Sequence, residues 1–276
     1  MLVPCMVSFA QSVFDGPYGK KIHNFPKETI LEQPQIEYIY YHLTCDPLIN
    51  ESREDYEILM VGKSYILFKD YGRYQLDSLF QHRDKRKVTN KEYHDEFWRN
   101  KKGSTSTYIL KSLKDKNMWV YDRISPDTYY YEENTPDFHW KLEDGTRTVC
   151  GHTCQKATCS FHGRDWTAWY AMDIPQSQGP WKFSGLPGLI MLVEDSKREH
   201  IFKIVSIRKG SKDCMISRME AEWDFRTNRE WFVKTQKRMM EDPLGYIQST
   251  GVILQSPDGK SNKLPRRPFF NPIEKE

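Results

Sequence analysis

No apolar run in this 276-residue sequence reaches the roughly 18 continuous apolar residues that a membrane-spanning helix needs. The longest runs, Ile58–Gly62 and Gly185–Val193, have the length of strands. Neither sign of charge is in large excess, because 41 Lys and Arg face 38 Asp and Glu and leave a formal net charge of +3. Nucleic-acid-binding domains are usually strongly basic on one face, so this near balance argues against a nucleic-acid partner.

The sequence also lacks the short motifs that identify common enzyme classes. It has no Gly-x-Ser-x-Gly nucleophile elbow, no His-Glu-x-x-His zinc motif and no glycine-rich phosphate or dinucleotide loop. His42, His139 and His152 each have the chemistry of a base, but a single histidine on a strand is more often a hydrogen-bonded structural residue. An enzymatic function is therefore the least favoured, and the sequence leaves any cofactor unknown.

The first ten residues, Met1–Ala10, are uncharged and largely apolar. Ser8–Ala10 stands before Gln11 in the small-x-small pattern of a signal-peptidase site, although the positive segment that normally opens a signal is missing. We interpret residues 1–10 as the remnant of a secretion signal, which predicts a location in the periplasm, in the outer cell envelope or outside the cell. The alternative is a buried first strand that is broken by Pro4.

Strand-forming residues dominate the rest of the chain, which contains 16 Tyr, 14 Phe and 8 Trp. Aromatic and β-branched residues predict strands over Ile36–Cys45, Tyr56–Val61, Ser64–Phe68, Met118–Arg123, Thr128–Glu132, Leu189–Glu194 and Ile201–Arg208. Gly62 and Gly163 favour tight hairpin turns, the second within residues 153–173. Residues 74–101 are more polar, and their pattern leaves a helix and a long surface excursion open.

One principal helix is predicted near the C-terminal end. Ala221, Phe225, Phe232 and Met239 recur at helical spacing and form one apolar stripe, with Pro243 just beyond it. This stripe is expected to pack onto the sheet. The fold class is therefore mainly β (α+β), a curved antiparallel sheet or half-barrel backed by one C-terminal helix. A single domain over residues 11–255, followed by an extended basic and Pro-rich tail over 256–276, is the simplest organisation.

The local pattern that best suggests chemistry is rich in cysteine and histidine. Cys150, His152 and Cys154 alternate and would share one face of a strand, with Cys159 and His162 nearby. Thiolate and imidazole ligands suit zinc or copper, but the spacing differs from that of structural zinc sites. The pattern therefore leaves a metal site at the first three residues as the alternative to ordinary buried cysteines.

The pairing of the cysteines stays open. Without residues 1–10 the chain keeps an odd number of cysteines, so at least one thiol is free or bridges to another molecule. On one straight strand Cys150 and Cys154 would lie about 13 Å apart, which is too far for a disulfide. Cys45 and Cys214 are the remaining candidate partners for this stretch.

The segment Gly179–Ile190 reads GPWKFSGLPGLI and resembles the signature of the GLPGLI family, which consists of secreted envelope proteins of Gram-negative bacteria. The hexapeptide Gly185-Leu186-Pro187-Gly188-Leu189-Ile190 is the name of that family letter for letter. Other short matches stand in the family's order at Trp140–Leu142, Cys154–Thr158, Gly163–Arg164, Trp169–Tyr170, Ile174–Pro175 and Asn271–Glu274. The chain departs from the family pattern in its shortened signal and in Cys150 and Cys159.

The resemblance implies an uncharacterised family with no agreed activity, cofactor or catalytic residues. Members are often encoded near outer-membrane transport systems, which implies a transport protein as a partner. The strand-rich pattern of the family is similar to the curved half-barrel of lipoprotein carriers, although a fold does not determine a function.

The hexapeptide also has a physical interpretation of its own. Gly185, Pro187 and Gly188 predict a sharp turn, with Pro187 and Gly188 at the centre of a type II turn. The motif contains no nucleophile, acid or metal ligand. A structural turn that sets strand register is therefore favoured over the lip of an apolar pocket, which Trp181 and Phe183 would line.

The preferred hypothesis is a non-enzymatic envelope binding protein, carrier or accessory protein with an apolar, aromatic surface. The candidate binding residues are Trp166, Trp169, Trp181 and Phe183, since aromatic side chains provide large contact areas. The partner would be an apolar or peptide-like ligand or an outer-membrane transport protein. The alternative is a secreted metal-handling protein that uses Cys150, His152 and Cys154.

Overall fold

The computed structural model describes residues 17, 19–100, 105–125, 127–220, 224–249 and 268–275. The strands are β1 (Lys27–Glu32), β2 (Ile36–Asp46), β3 (Glu51–Val61), β4 (Tyr65–Asp70), β5 (Tyr108–Ser112), β6 (Asn117–Ile124), β7 (Asp127–Asn134), β8 (Lys141–Val149), β9 (His152–Phe161), β10 (Arg164–Ala171), β11 (Leu189–Asp195), β12 (His200–Lys209), β13 (Ile216–Glu220) and β14 (Asp224–Arg226). The helices are α1 (Tyr71–Gln81), α2 (Asn90–Asn100), α3 (Arg229–Glu241) and α4 (Pro243–Ser249). The predicted signal remnant 1–10 lies outside the described residues.

Twelve strands form one curved, unclosed sheet in the order β14-β7-β6-β5-β4-β3-β2-β12-β11-β10-β9-β8, while β1 pairs with β13 in a separate ribbon. Neighbouring strands run antiparallel except for β14, which lies parallel to β7. The pairing of β2 with β3 extends from Ile36 opposite Val61 to Asp46 opposite Glu51. The structure confirms the predicted mainly β fold with a curved antiparallel sheet and a C-terminal helix.

The two faces of the sheet carry separate cores because side chains alternate along each strand. Tyr38 and Tyr40 belong to the larger core on what we call the inner face, which packs against α3. Ile39, between them, belongs to the core on the outer face, which packs against α1 and β13. The sheet therefore has an apolar core on its inner face and, over β2–β6, a second apolar core on its outer face.

The predicted C-terminal helix is correct in its buried residues and wrong in its starting point. Phe232 and Met239 of α3 are buried as expected, but Phe225 lies in β14. The helix begins at Arg229, after Asn228, whose side chain accepts a hydrogen bond from the first turn. Asparagine is a preferred N-cap residue, so this cap rather than the apolar spacing determines where the helix starts. Ala221, which opened the predicted stripe, lies outside the described residues.

The polar region 74–101 contains most of α1 and all of α2. A carboxylate oxygen of Asp70 accepts a hydrogen bond from the Arg73 amide at 2.7 Å and caps α1. Ahead of α2, the Glu92 carboxylate accepts from the Thr89 amide at 2.8 Å, and the Thr89 hydroxyl accepts from the Glu92 amide at 3.2 Å. This reciprocal capping box fixes the start of a helix that has only one buried residue, Asn90.

Two hairpin turns have consecutive residues with positive φ, as type I′ turns require. His162 and Gly163, at φ 44° and 74°, join β9 to β10 and confirm the hairpin predicted within residues 153–173. Cys150 and Gly151, at φ 48° and 84°, join β8 to β9. The sequence-based placement of Cys150 on one strand face with Cys154 is therefore wrong, because Cys150 lies in the turn.

The hexapeptide Gly185–Ile190 leads into β11, but not through a type II turn. Such a turn needs positive φ at Gly188, whereas in this motif only Gly185 has it, at 96°. Gly188 is required for a different reason, since a Cβ there would lie 2.1 Å from the Ala171 carbonyl oxygen. The glycine lets the chain enter β11 in direct backbone contact with the end of β10.

Candidate functional site

A pocket of about 360 Å³ opens on the outer face, where α1 and α2 stand beside the ends of β4, β5 and β6. We call it the helix pocket. Its lining includes Lys69, Arg73, Leu76, Tyr93, Tyr108 and Tyr121. Lys69 follows the apolar residues Ile66–Phe68 and precedes Asp70, the last residue of β4. Alternation along that strand directs Lys69 to the outer face, away from Phe68. Arg73 and Leu76 come from α1, and Tyr93 comes from α2.

Two cations of the helix pocket, Lys69 and Arg73, meet on one carboxylate. The Lys69 ammonium donates to Asp77 Oδ2 at 2.9 Å, and Arg73 Nε donates to Asp77 Oδ1 at 2.9 Å. Arg73 Nη1 also donates to the Tyr93 hydroxyl at 2.9 Å. These contacts fix two positive groups and a phenol in defined positions beside the pocket.

The protonation states around this carboxylate follow from burial and from its neighbours. Burial alone would lower the pKa of Lys69, but the Asp77 carboxylate raises it above the usual value. Burial would raise the pKa of Asp77, but Arg73 and Lys69 hold it below its usual value. Cys214, whose sulfur accepts from Lys69 at 3.3 Å, has its pKa raised by burial. The lysine is therefore charged, the carboxylate ionised and the thiol protonated near neutral pH.

Two tyrosines form a rigid aromatic wall. The rings of Tyr108 and Tyr121 meet edge to face, with centroids 5.6 Å apart. The hydroxyl of Tyr108 donates to the Ser217 carbonyl, and that of Tyr121 donates to the Met219 carbonyl at 3.1 Å. Both hydroxyls are thus held by β13. The helix pocket combines this aromatic wall with the paired cations Lys69 and Arg73 and with the carboxylates of Asp70, Asp122 and Asp224.

A second polar centre lies on the inner face around Lys182. This ammonium group is almost fully buried and contacts carboxylate oxygens of Glu133 and Glu274, each at 2.5 Å, and the Tyr131 hydroxyl at 3.3 Å. Burial would lower the pKa of Lys182, but Tyr131 and the two carboxylates raise it. Arg229 pairs with Glu274 as well. The centre therefore contains two cations and two carboxylates.

Lys111 of β5 is also buried on the inner face, where alternation places it on the same side as Ile109. Within the described parts of the chain its ammonium nitrogen has no hydrogen-bond partner. Burial, and to a smaller extent the charge of Lys182, lowers the pKa of Lys111 to about 7. It is a buried amine that the ion pairs around Lys182 do not include.

The structure brings together three of the four predicted binding residues. Trp166, Trp181 and Phe183 are 1%, 4% and 0% exposed. The Phe183 ring centroid lies 4.8 Å from that of Trp166 and 5.2 Å from that of Trp181. Trp169 is only half-buried, and the Arg147 guanidinium carbon lies 5.8 Å from its ring centroid. A ligand would reach the first three only if the inner core opened, and the binding role of all four stays a prediction.

The structure does not bring the predicted metal ligands together. Cys150 is exposed in a turn, Cys154 is buried, and His152 Nδ1 lies 2.7 Å from an oxygen of Asp173. Burial raises the pKa of Cys154 to about 11. Among the residues that the structure describes, no group of three or more His, Cys, Asp or Glu is arranged to hold a metal ion.

The described cysteines are all free thiols: Cys45, Cys150, Cys154, Cys159 and Cys214. Neither Cys45 nor Cys214 is therefore in a disulfide with the Cys150–Cys159 stretch. Instead Cys214 lies beside Lys69 at the helix pocket.

The residues of both polar centres were missed by sequence reasoning. A signal was present, because Lys69 ends the run Tyr65–Phe68 and Lys182 stands between Trp181 and Phe183. A single lysine inside an apolar or aromatic run indicates a buried amine, which in most proteins has a partner elsewhere in the chain. The partner itself cannot be read from such a signal, since Asp77 lies in the helix that follows β4 and Glu274 lies 92 residues from Lys182.

Among known protein families, one family model matches a short stretch of the chain. A family model described as a protein of unknown function (Porph_ging) matches residues 162–192. This match supports an uncharacterised family over the β9–β10 turn, β10 and the hexapeptide. No curated protein matches the chain.

Solved structures resemble the chain only distantly. One crystal form of PNGF-II is 14% identical to this chain, with a TM-score of 0.47. The alignment covers 76% of this chain and 33% of the PNGF-II chain. A second crystal form is 12% identical, with a TM-score of 0.48, and its alignment covers 75% of this chain and 33% of the PNGF-II chain. The chain thus spans about a third of the length of these proteins. Within the described ranges no helix is both long enough and apolar enough to cross a bilayer.

Proposed function

We propose that the protein is a non-enzymatic binding protein that holds a small amphipathic molecule in the helix pocket. One observation carries the proposal, namely a pocket of about 360 Å³ with a tyrosine wall on one side and paired cations on another. Small-molecule sites typically occupy about 300–1,000 Å³ and combine apolar walls with a few placed polar groups. The apolar part of the ligand would lie against Tyr108 and Tyr121, and its polar end would face Lys69 and Arg73.

We further propose that the chain is a GLPGLI-type protein of the periplasm, outer cell envelope or extracellular medium. The hexapeptide Gly185–Ile190, inside the matched stretch 162–192, supports this proposal. An outer-membrane transport protein is the proposed macromolecular partner, on the basis of the same resemblance.

The binding function is tested by closing the rim of the helix pocket. Asn24 lies at the rim and is exposed, so Asn24→Trp is expected to obstruct the pocket without disturbing the core. In ligand-observed NMR with a small-molecule library, compounds that bind the wild-type protein should lose at least tenfold in affinity to this variant. Leu48→Trp, at a side chain that is 76% exposed, is the matched control and should bind like the wild type. Absence of any binding compound, or equal affinity for both variants, would count against the proposal.

A titration with zinc or copper distinguishes the metal-handling hypothesis from binding in the helix pocket. We expect stoichiometric zinc or copper to leave the tryptophan fluorescence and the melting temperature unchanged. The reason is that Cys154 is buried with a raised pKa while Cys150 lies in the preceding turn. A stoichiometric change that disappears in His152→Ala would establish metal binding at this stretch and contradict the expectation.

A further inference from the structure

Lys111 of β5 is an amine enclosed by apolar side chains of the inner core. The residue is only 2% exposed. Its register partners on the neighbouring strands are Ile66 of β4 and Met118 of β6, and both are fully buried. Over the described ranges of the chain, no atom accepts a hydrogen bond from the Lys111 nitrogen. Burying a charge without a partner is costly, so these surroundings favour the uncharged amine.

A row of inner-face side chains connects Lys111 with the polar centre around Lys182. Lys111 lies opposite Met118 on β6, and Met118 lies opposite Glu133 on β7. Directly opposite residues project from the same face of a sheet. Glu133 contacts the Lys182 ammonium group. Lys111 is therefore two strands, or about 10 Å of backbone spacing, from the carboxylate that contacts Lys182.

The protonation of Lys111 follows from this position. Burial, and to a smaller extent the charge of Lys182, lowers the pKa of Lys111 to about 7, whereas an ordinary lysine titrates near 10.4. At pH 7.5 the free amine is the major form of Lys111 but only about a thousandth of an ordinary lysine. A lysine that is desolvated or that lies near another cation is an activated nucleophile. Lys111 meets both conditions.

The electrophile that suits this position is carbon dioxide. A closed apolar environment excludes charged or bulky reagents, whereas carbon dioxide is uncharged, apolar and only three atoms in size. Met118 is unbranched, and methionine adapts to changes of volume around it, so the added atoms can be accommodated beside it. The product is an anion, and the positive charge of Lys182, which already acts on the Lys111 nitrogen, favours a negative charge there.

We propose that Lys111 is a carbamylation site that takes up carbon dioxide. The nitrogen lone pair attacks the carbon, an N–C bond forms, and the electron pair of one C=O π bond moves to oxygen. The nitrogen then releases one proton to the solvent. The neutral amine and carbon dioxide thus give a carbamate anion and one proton, without an oxidant or a reductant. The site lies on the inner face and the helix pocket on the outer face, so the proposal does not depend on the function assigned to that pocket.

The modification is tested by ¹³C NMR of the full-length protein at pH 7.5 in ¹³C-labelled bicarbonate. The wild type should show a carbamate resonance that is at least tenfold weaker in Lys111→Met. Lys114→Met, at an exposed lysine just beyond the same strand, is the matched control and should keep this resonance. The α-amino group also titrates near neutral pH, and its separate carbamate signal is expected in all three proteins.

A second measurement locates the modification in the wild-type chain and does not depend on the folding of a variant. Alkylation with a trialkyloxonium salt converts the carbamate into a stable ester, and peptide mass spectrometry then identifies the modified lysine. The ester is expected on Lys111 and only when bicarbonate is present. In protein unfolded with guanidinium the yield at Lys111 should fall at least tenfold, because the pKa of an unfolded lysine returns to its ordinary value.

The outcomes decide the proposal in either direction. A bicarbonate-dependent ester on Lys111 of the folded protein, together with the loss of the resonance in Lys111→Met, would support it. An ester confined to the α-amino group or to exposed lysines would overturn it, as would an equal yield at Lys111 in folded and unfolded protein. Neither result bears on the helix pocket, whose test uses Asn24→Trp.

Discussion

Arg164→Met is expected to lower the free energy of unfolding by about 3–5 kcal/mol, the usual cost of removing one partner from a buried ionic network. The guanidinium Nη1 donates to Asp195 at 2.9 Å and to Glu199 at 2.7 Å, both of them buried. Methionine has similar bulk but no charge, so two carboxylates would be left close together with one cation fewer. Residues 271–273 would lose their three hydrogen bonds to Arg164 as well.

The pH dependence of this loss has a definite sign. Burial would raise the pKa of Glu199, but hydrogen bonds from Arg164, Asn271 and Lys275 lower it to about 2. A carboxylate whose pKa is lower in the folded state stabilises the fold above the unfolded pKa of about 4.3. That contribution disappears as the pH falls towards 2. The difference between wild type and Arg164→Met should therefore shrink between about pH 4.3 and pH 2.

Urea unfolding, followed by tryptophan fluorescence, measures the free energy of unfolding of the wild type and of Arg164→Met at each pH. Arg198→Met is the matched control, because Arg198 is 68% exposed and lies 3.5 Å from Glu194. Exposed pairs of this kind contribute roughly 0–1 kcal/mol. Similar losses in the two variants would show that the Arg164 network adds no more stability than a surface pair.

Lys111→Met is expected to act in the opposite direction and to stabilise the protein. An unsatisfied buried polar group costs about 1–3 kcal/mol, and methionine fills a similar volume without that cost. No hydrogen bond is lost, since Lys111 has no partner within the described parts of the chain. The gain should appear as a higher urea midpoint with an unchanged m-value.

The wild-type protein should also become more stable as the pH rises above neutral. Burial lowers the pKa of folded Lys111 to about 7, whereas an unfolded lysine titrates near pH 10.4. Between these values the unfolded state binds more protons, so stability increases by up to about 1.4 kcal/mol per pH unit. In Lys111→Met this slope should be missing, and its advantage should be largest below pH 7. The exposed Lys114→Met is the control, and an unchanged slope in Lys111→Met would contradict the assignment.

The strands of the sheet were predictable because the residue pattern that identifies each strand lies within that strand. The aromatic and β-branched composition of Ile36–Cys45 and Ile201–Arg208 identifies β2 and β12, and Gly163 identifies the hairpin between β9 and β10. The helix α2 was left undecided because it buries only Asn90, so that its capping by Thr89 carries more of the signal than apolar spacing. The helix α1 buries Tyr74, Leu76 and Phe80, but polar residues stand between them, and its cap at Asp70 marks where it starts.

The contact of Lys69 with Cys214 and the centre around Lys182 were not predictable because these partners are distant in the sequence. Lys69 meets Cys214, 145 residues away, and Lys182 meets Glu274, 92 residues away. Only the folded sheet brings these residues together. The same is true of Gly188, whose requirement follows from contact with Ala171 and not from any local turn.

The position of β2 between β3 and β12 has a consequence for synthesis of the chain. Its partners are the neighbouring residues 51–61 and the distant residues 200–209. A growing polypeptide that has not yet reached residue 200 must leave one side of β2 without its partner. Open strand edges of this kind are prone to association with other chains, and pairings over such a separation form slowly. The first six strands of the large sheet therefore spend much of translation in a state that chaperones would be expected to protect.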